Sequence, residues 1–139
     1  MSDVYLAGLR LTGLRVVVVG GGKVAQRRLP ALVRAEADIV LVAPEVTPTV
    51  EGLITSTGNR WERRAYTSAD LDGAWYALAL TGDSRVNEQV AADAVARRVF
   101  CVRADDATRG SAVTPAVGAD GAVTVGVLGG GDPRRAVAV

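Results

Sequence analysis

The chain has 139 residues, with 16 Lys and Arg against 15 Asp and Glu, and this balance argues against a nucleic-acid binder that works through bulk positive charge. Its longest aliphatic run, Val16–Val19, is far too short for a membrane span, and nothing at the N-terminus resembles a secretory signal. Histidine is absent and Cys101 is the single cysteine, which excludes histidine-based catalysis and internal disulfides and is typical of a cytoplasmic protein.

Strand and helix patterns alternate through the first 104 residues. Continuous apolar runs predict strands buried on both faces, and the segments between them repeat apolar residues at helical spacing. The predicted strands cover residues 14–19, 39–43, 61–66 (more polar, near an edge), 74–80 and 99–104. The predicted helices start at Lys23, cover 46–57 with Pro48 in the first turn, and cover 84–98 with Asp83 as N-cap. This order predicts a Rossmann-like, doubly wound parallel α/β sheet.

The two ends of the chain differ in character from this alternation. Residues 1–12 form an apolar lead-in that we expect to lie against the first strand. Residues 111–116 and 122–128 predict two short additional strands around a Gly-Ala-Asp-Gly turn at 118–121. After a glycine-rich break, residues 134–139 have the pattern of a helix that is just beginning.

A glycine-rich loop separates the first predicted strand from the first helix. Residues 20–25 match the pattern G-x-G-x-x-A in the strand–turn–helix context that dinucleotide-binding folds require. Gly20 allows the tight turn, Gly22 lets the backbone approach a pyrophosphate, and the helix N-terminus offers free N–H groups. The loop therefore predicts a dinucleotide site, with a purely structural glycine turn as the alternative. Lys23, in the first helical turn, either contacts a phosphate or is solvated.

Further cofactor contacts are expected where the other strands end, because ligands of such sheets bind beyond the carboxyl ends of the strands. Glu45 follows the second strand, where an acid commonly binds the ribose hydroxyls, but a solvated role is equally compatible with its position. The choice between NAD and NADP therefore stays open at this loop. The predicted cofactor-binding residues are Gly20, Gly22, Lys23, Val24, Pro44, Glu45, Thr81 and Gly82.

An ordered series of motifs resembles the N-terminal module of siroheme synthase, the precorrin-2 dehydrogenase/sirohydrochlorin ferrochelatase. The series is Gly20-Gly21-Gly22-x-Val24-Ala25-x-Arg27, Val42-Ala43-Pro44-Glu45, Thr81-Gly82-Asp83-x-x-x-Asn87, Arg98-Val99-Phe100-Cys101 and Asp105. The resemblance implies NAD-dependent oxidation of precorrin-2 to sirohydrochlorin and, in many members, insertion of Fe²⁺. It also implies a homodimer and, in many bacteria, a fused methyltransferase domain.

The resemblance also suggests how the chain is divided. We expect an NAD-binding Rossmann-like domain at 1–116, followed at 117–139 by a strand and the truncated start of the dimerisation region. The dimerisation helices themselves are then missing from this chain, which would be the first module of something larger.

Asp105 is the candidate catalytic residue. A protein without histidine needs another base, and Asp105 matches the catalytic aspartate of the family at the end of a strand. Asp106 lies beside it, and like charges this close are expected to raise one pKa, with turn capping as the alternative role of the pair. Precorrin-2 is a polycarboxylate, and the arginines that are candidates to bind it, unless they are surface charges, are Arg103, Arg109, Arg134 and Arg135. Cys101 matches a family cysteine and is expected to be a packed, inert thiol.

Two other functions compete with the enzyme. The first is a non-catalytic NAD(P)-sensing Rossmann domain that gates a partner; such a domain needs neither Asp105 nor the two short strands after it. The second is a scaffold that has lost activity, for which Gly82, in place of a family aspartate, and the lack of a serine turn at 128–133 would be symptoms. The sequence shows no metal-ligand cluster, so no metal-binding residue is predicted and ferrochelatase activity stays open.

Overall fold

Five parallel strands form a central sheet in the order β3-β2-β1-β4-β5 in the computed structural model, which describes residues 4–128. The strands are β1 (Arg15–Val19), β2 (Asp38–Val42), β3 (Arg60–Glu62), β4 (Tyr76–Ala79) and β5 (Phe100–Arg103). The predicted Rossmann-like parallel sheet is therefore confirmed, and the polar third strand lies at an edge as expected.

Three helices connect these strands: α1 (Lys23–Arg34), α2 (Pro48–Ser56) and α3 (Ser84–Ala96). Side chains of α1 and α2 pack with Val16 and Val18 on one face of the sheet, whereas α3 packs with Val17 and Val19 on the other. Successive strand residues point to opposite faces, and helices cover both faces. This is why the first strand is apolar at every position instead of alternating.

The helices begin in two different ways. The Thr47 hydroxyl accepts a hydrogen bond from the Val50 N–H at 3.2 Å to cap α2, and Pro48 occupies its first turn as predicted. The Asp83 carboxylate accepts from the Arg85 N–H at 2.9 Å to cap α3, also as predicted. By contrast, α1 begins after Gly22 without any side-chain cap. Its first N–H groups are therefore left for water or a ligand.

The N-terminal segment differs from the expectation that it lies against the first strand. Leu11 is buried in the core, with 9% of its surface exposed. In contrast, Val4, Leu6 and Leu9 are more than half exposed and Tyr5 is 91% exposed. The expectation therefore holds for Leu11 and is wrong for residues 4–10, because an apolar sequence pattern does not say which surface it covers.

Two antiparallel strands, β6 (Ala116–Asp120) and β7 (Val123–Val127), follow the parallel sheet. Asp120 pairs with Val123, so Gly121, with φ of +60°, and Ala122 form a two-residue turn. The predicted strand at 111–116 and turn at 118–121 are therefore misplaced. Residues 118–120 are strand residues because they pair with β7.

Two expectations concern the C-terminal part of the chain. The proposed domain boundary after residue 116 falls within β6. The predicted helix start at 134–139 lies outside the described residues, and so do Arg134 and Arg135. Within residues 4–128, none of the helices combines the length and apolar character needed to cross a membrane.

Candidate functional site

A cleft of about 400 Å³ opens at the carboxyl ends of β1, β2 and β4. It lies where the chain switches from one side of the sheet to the other, which is the usual ligand position in doubly wound folds. The structure brings all eight predicted cofactor-binding residues to this cleft, and three further residues line it. The full lining is Gly20, Gly21, Gly22, Lys23, Val24, Ala43, Pro44, Glu45, Leu80, Thr81 and Gly82.

Gly20 and Gly21 are required by close approach of the backbone on both sides of the loop. Gly20 has φ of +114°, and a Cβ there would lie 2.8 Å from the Leu80 carbonyl carbon and oxygen. A Cβ at Gly21 would lie 2.9 Å from the Glu45 carbonyl oxygen and would collide with the Val46 side chain. The glycine motif leaves position 21 free, so the sequence reading missed this constraint.

Gly22 has the opposite environment. A Cβ at this position would meet no atom within 4 Å, because the residue borders the open cleft. The helix that follows has no side-chain cap and no acidic residue in its first turn, and Lys23 there is exposed. Free N–H groups, the positive end of the helix dipole and a nearby cation together favour an anion. The residues present therefore fit the pyrophosphate of a dinucleotide.

The loop that carries Pro44 and Glu45 is fixed from the edge of the sheet. The Trp61 Nε1–H donates a hydrogen bond to the Ala43 carbonyl oxygen at 2.8 Å, and the Arg63 guanidinium lies 5.1 Å from the centre of the Trp61 ring. Glu45 itself is exposed and lines the cleft. The indole therefore positions the segment in which Glu45 stands, a contact that the sequence did not indicate.

Asn87 fixes the turn that follows β4. It is fully buried, and its side-chain oxygen accepts from the Thr81 N–H at 3.1 Å and from the Thr81 hydroxyl at 2.7 Å. Its side-chain nitrogen donates to the Thr81 carbonyl oxygen at 3.0 Å. Sequence reasoning gave Asn87 no role, although the spacing 87, 90, 91 and 94 of the buried face of α3 was an available signal.

Asp105 lies just beyond β5 and is held by Arg103. Arg103 Nη2 lies 2.7 Å from Asp105 Oδ2, and Arg103 Nε lies 3.1 Å from Asp105 Oδ1. The guanidinium holds the pKa of Asp105 below its ordinary value, and the Asn87 amide acts in the same direction. Arg103 is only 4% exposed, so the hypothesis that it binds carboxylates of the substrate is wrong: its guanidinium is already paired inside the protein.

Asp106 has a different environment from its neighbour. It caps a short 3₁₀ turn, Ala107–Arg109, by accepting from the Thr108 N–H at 3.1 Å and the Thr108 hydroxyl at 2.6 Å. These hydrogen bonds lower the pKa of Asp106. The expectation that like charges raise one pKa of the Asp105–Asp106 pair is therefore wrong, because each carboxylate has its own donors. Arg109 is exposed, with its Nε 4.0 Å from Asp106 Oδ2.

Cys101 is expected to be unreactive in the folded protein. Its side chain is fully buried in β5, and burial raises the pKa of the thiol to about 11, so almost no thiolate exists at neutral pH. A chromogenic thiol reagent should not label the native protein within minutes at neutral pH and should label one thiol per chain in denaturant. Fast labelling of the native protein would show that β5 opens readily.

Within residues 4–128, no group of three or more Cys, Asp or Glu side chains is arranged so that it could hold a metal ion.

Known proteins are similar to this chain in sequence and in fold. Residues 7–116 match the family model described as "Putative NAD(P)-binding". Siroheme synthase from Pseudomonas fluorescens (strain Pf0-1) is 37% identical over 122 residues, which is 88% of this chain and 26% of that protein. Precorrin-2 dehydrogenase from Bacillus subtilis (strain 168) is 35% identical over 123 residues, which is 87% of this chain and 75% of that protein.

Two solved structures resemble this fold. SirC, a precorrin-2 dehydrogenase, superposes with a TM-score of 0.79 at 26% identity, over 92% of this chain and 63% of the other. GenD2 from gentamicin A biosynthesis, in complex with NAD, superposes with a TM-score of 0.52 at 20% identity, over 73% and 29% of the two chains, and shows likeness of fold alone. The chain thus spans about a quarter of the Pseudomonas fluorescens siroheme synthase and three quarters of the Bacillus subtilis dehydrogenase.

Proposed function

This chain belongs to the NAD(P)-binding family of precorrin-2 dehydrogenases, and we propose that it oxidises precorrin-2 to sirohydrochlorin with NAD as cofactor, in siroheme biosynthesis. The observation that carries the proposal is the uncapped N-terminus of α1 at an open glycine, in the cleft at the carboxyl ends of the strands. Such an end binds phosphate groups because its N–H donors have no partner inside the helix.

Different residues of the cleft are proposed to contact different parts of the cofactor. Gly22 and the first turn of α1, including Lys23 and Val24, are proposed to hold the pyrophosphate. Pro44 and Glu45 lie at the end of β2, where the ribose hydroxyls bind in this fold, and Thr81 and Gly82 border the cleft after β4. NAD, when bound, supplies the hydride acceptor of the reaction.

Asp105 is proposed to accept the proton of the reaction. Oxidation of precorrin-2 to sirohydrochlorin removes a hydride and a proton, so a base must accompany the hydride acceptor. Asp105 follows the strand next to β4, and its side chain is one quarter exposed, so substrate can reach it. Like any carboxylate with a pKa at or below its ordinary value, Asp105 is ionised at neutral pH, which is the state a base requires.

The wider setting of the reaction is part of the same proposal. We propose a homodimer, Fe²⁺ as a second substrate in a ferrochelatase reaction, a fused methyltransferase domain and a cytoplasmic location. These proposals are supported by the resemblance to siroheme synthase, of which the matched region is 26%.

The proposed function is tested by following NADH absorbance after precorrin-2 is generated in situ with the purified protein and NAD. We expect formation of NADH that depends on both precorrin-2 and protein. NAD binding without any oxidation of precorrin-2 would contradict the enzyme and favour the NAD(P)-sensing domain instead.

Glu45 is expected to favour NAD over NADP. If its carboxylate meets the ribose hydroxyls, the 2′-phosphate of NADP would approach a negative charge, and like charges in contact are costly. NAD should then bind at least about tenfold more tightly, a difference of roughly 1.4 kcal/mol. Calorimetric titration of the parent and of Glu45→Ala should show that the variant loses this preference.

A matched control for this experiment is Glu51→Ala, which removes an exposed glutamate from α2. This variant should keep the parental ratio of the two dissociation constants. Equal affinities for NAD and NADP in the parent protein would show that Glu45 makes no contact with the ribose.

A further inference from the structure

We propose that Arg103 is a positioning residue that fixes the orientation of the Asp105 carboxylate at the carboxyl end of β5. The inference rests on the proposed function, in which Asp105 accepts a proton from the substrate. Arg103 is too deeply buried to contact a tetrapyrrole itself, so it acts on the reaction through the groups that it holds, of which Asp105 is the candidate base.

The geometry is that of a two-point clamp. Each oxygen of the Asp105 carboxylate accepts one hydrogen bond from Arg103, at 2.7 Å from Nη2 and at 3.1 Å from Nε. A single hydrogen bond leaves a carboxylate free to rotate, whereas two bonds from a planar guanidinium fix its plane. Each oxygen keeps further lone pairs, so the clamped carboxylate can still receive a proton.

The clamp is itself anchored to the rest of the fold. Arg103 belongs to β5, where it pairs with Ala79 of β4, and its Nη2 also donates to the Ser84 carbonyl oxygen at 3.4 Å in the first turn of α3. The direction of the Asp105 carboxylate is therefore set by β4, β5 and α3 together. These elements also carry the turn at Thr81 that borders the cofactor cleft.

The charged groups around Asp105 leave Arg103 as the main electrostatic influence on it. Asp106 is the nearest other carboxylate in sequence, but Thr108 hydrogen-bonds it and Arg109 lies 4.0 Å away. The charge of Glu88 in α3 raises the pKa of Arg103, and the neutral amide of Asn87 lowers the pKa of Asp105. The hydrogen bonds from Arg103 are the largest cause of the lowered pKa of Asp105.

The sign of the pH effect follows from this arrangement. A base works in its ionised form, so kcat/KM falls as the pH drops through the pKa of Asp105. Because Arg103 lowers that pKa, the acid limb of the pH profile lies at a lower pH than it would without the arginine. Removal of the guanidinium should therefore move the acid limb to higher pH.

The test compares Arg103→Met and Arg103→Lys with the parent protein, and uses Arg97→Met as a matched control that breaks the exposed ion pair with Asp72. For Arg103→Met we expect the acid limb of the kcat/KM profile to lie about one pH unit higher than in the parent, in line with the shifts that an adjacent opposite charge causes. We also expect kcat to fall by roughly tenfold or more while the NAD dissociation constant is unchanged. Lysine retains the positive charge but cannot donate two parallel hydrogen bonds as the guanidinium does. The acid limb of Arg103→Lys should therefore lie between those of the parent and of Arg103→Met, while its kcat should stay close to that of Arg103→Met.

A second readout does not depend on turnover. The carboxyl ¹³C signal of Asp105 in the free protein should titrate at higher pH in Arg103→Met and at an intermediate pH in Arg103→Lys. A proportional loss of activity at every pH, with the limb and the titration unmoved, would show a merely structural role and overturn the inference. If Arg103→Met does not fold, Arg103→Lys decides: parental kcat and a parental titration of Asp105 would overturn the inference.

Failure of the proposed function gives a different result. A parent protein that does not oxidise precorrin-2 at all would refute the dehydrogenase. A shifted titration of Asp105 in the same variants would then still support the part of the inference that concerns the Arg103–Asp105 clamp.

Discussion

Replacement of Asp105 by Asn is expected to slow the oxidation of precorrin-2 by about two orders of magnitude or more, as is usual when a positioned base is lost. An amide has nearly the shape of the carboxylate but cannot accept the proton. The affinity for NAD should stay nearly unchanged, because Asp105 is not among the residues that line the cofactor cleft. The measurement is NADH formation from precorrin-2 with the purified protein, together with calorimetric titration of NAD.

Asp106→Asn is the matched control for this experiment. Asp106 is adjacent in sequence and is also an aspartate, but its carboxylate caps a 3₁₀ turn through Thr108. An asparagine is also a good cap, so this variant should lose little activity. Equal losses in the two variants, or full activity of Asp105→Asn, would remove Asp105 from the mechanism.

The loss of charge at Asp105 also affects Arg103, which would keep its buried guanidinium without a carboxylate partner. Buried charges that lose their partner are destabilising. The melting temperature of Asp105→Asn must therefore be measured beside its activity, at a temperature where parent and variant are both folded. A rate loss that disappears under those conditions would be a stability effect and would contradict the role as base.

A bulky residue at position 22 is expected to abolish NAD binding and leave the fold intact. Gly22 has an extended backbone with φ of −91° and ψ of −154°, so it does not need the left-handed conformation that favours glycine, and no atom lies within 4 Å of an added Cβ. The valine side chain would instead occupy the space that we propose for the pyrophosphate at the N-terminus of α1. We expect Gly22→Val to weaken NAD by about a hundredfold or more, roughly 2.7 kcal/mol.

Gly52→Val is the control for this substitution, since Gly52 is exposed on α2, away from the cleft, and also has open space at its Cβ. Both variants should keep the parental circular dichroism spectrum and melt cooperatively, and Gly52→Val should bind NAD like the parent. If Gly22→Val titrates NAD as well as the parent does, the cofactor is bound elsewhere.

The order of the elements could be predicted from sequence because it depends on local patterns. A strand covered on both faces must be apolar at each position, as residues 16–19 are, and a helix covered on one side shows the spacing of residues 86, 90 and 94. Capping residues such as Asp83 and turn formers such as Pro48 act on their immediate neighbours. The position of the cleft at the carboxyl ends of the strands could be predicted as well, because parallel strands place all their carboxyl ends at one edge of the sheet.

Contacts between residues that are far apart in the sequence were decided only by the tertiary structure. Gly21 is a free position in the motif, but the approach of the β2–α2 loop leaves no room there for a Cβ. The predicted position of β6 was wrong because the register of this strand depends on which residues of β7 it pairs with. Neither constraint is encoded within the short segment that it affects.

The two adjacent aspartates show the same division most clearly. The sequence by itself shows that Asp105 follows β5, and in a chain without histidine this makes Asp105 the candidate base. Only the folded chain shows that Arg103 turns inward to clamp Asp105 while Thr108 holds Asp106. The physical reason is that the pKa and the direction of a carboxylate are set by the donors within about 3 Å of its oxygens. Those donors become known only when the side chains are placed in space.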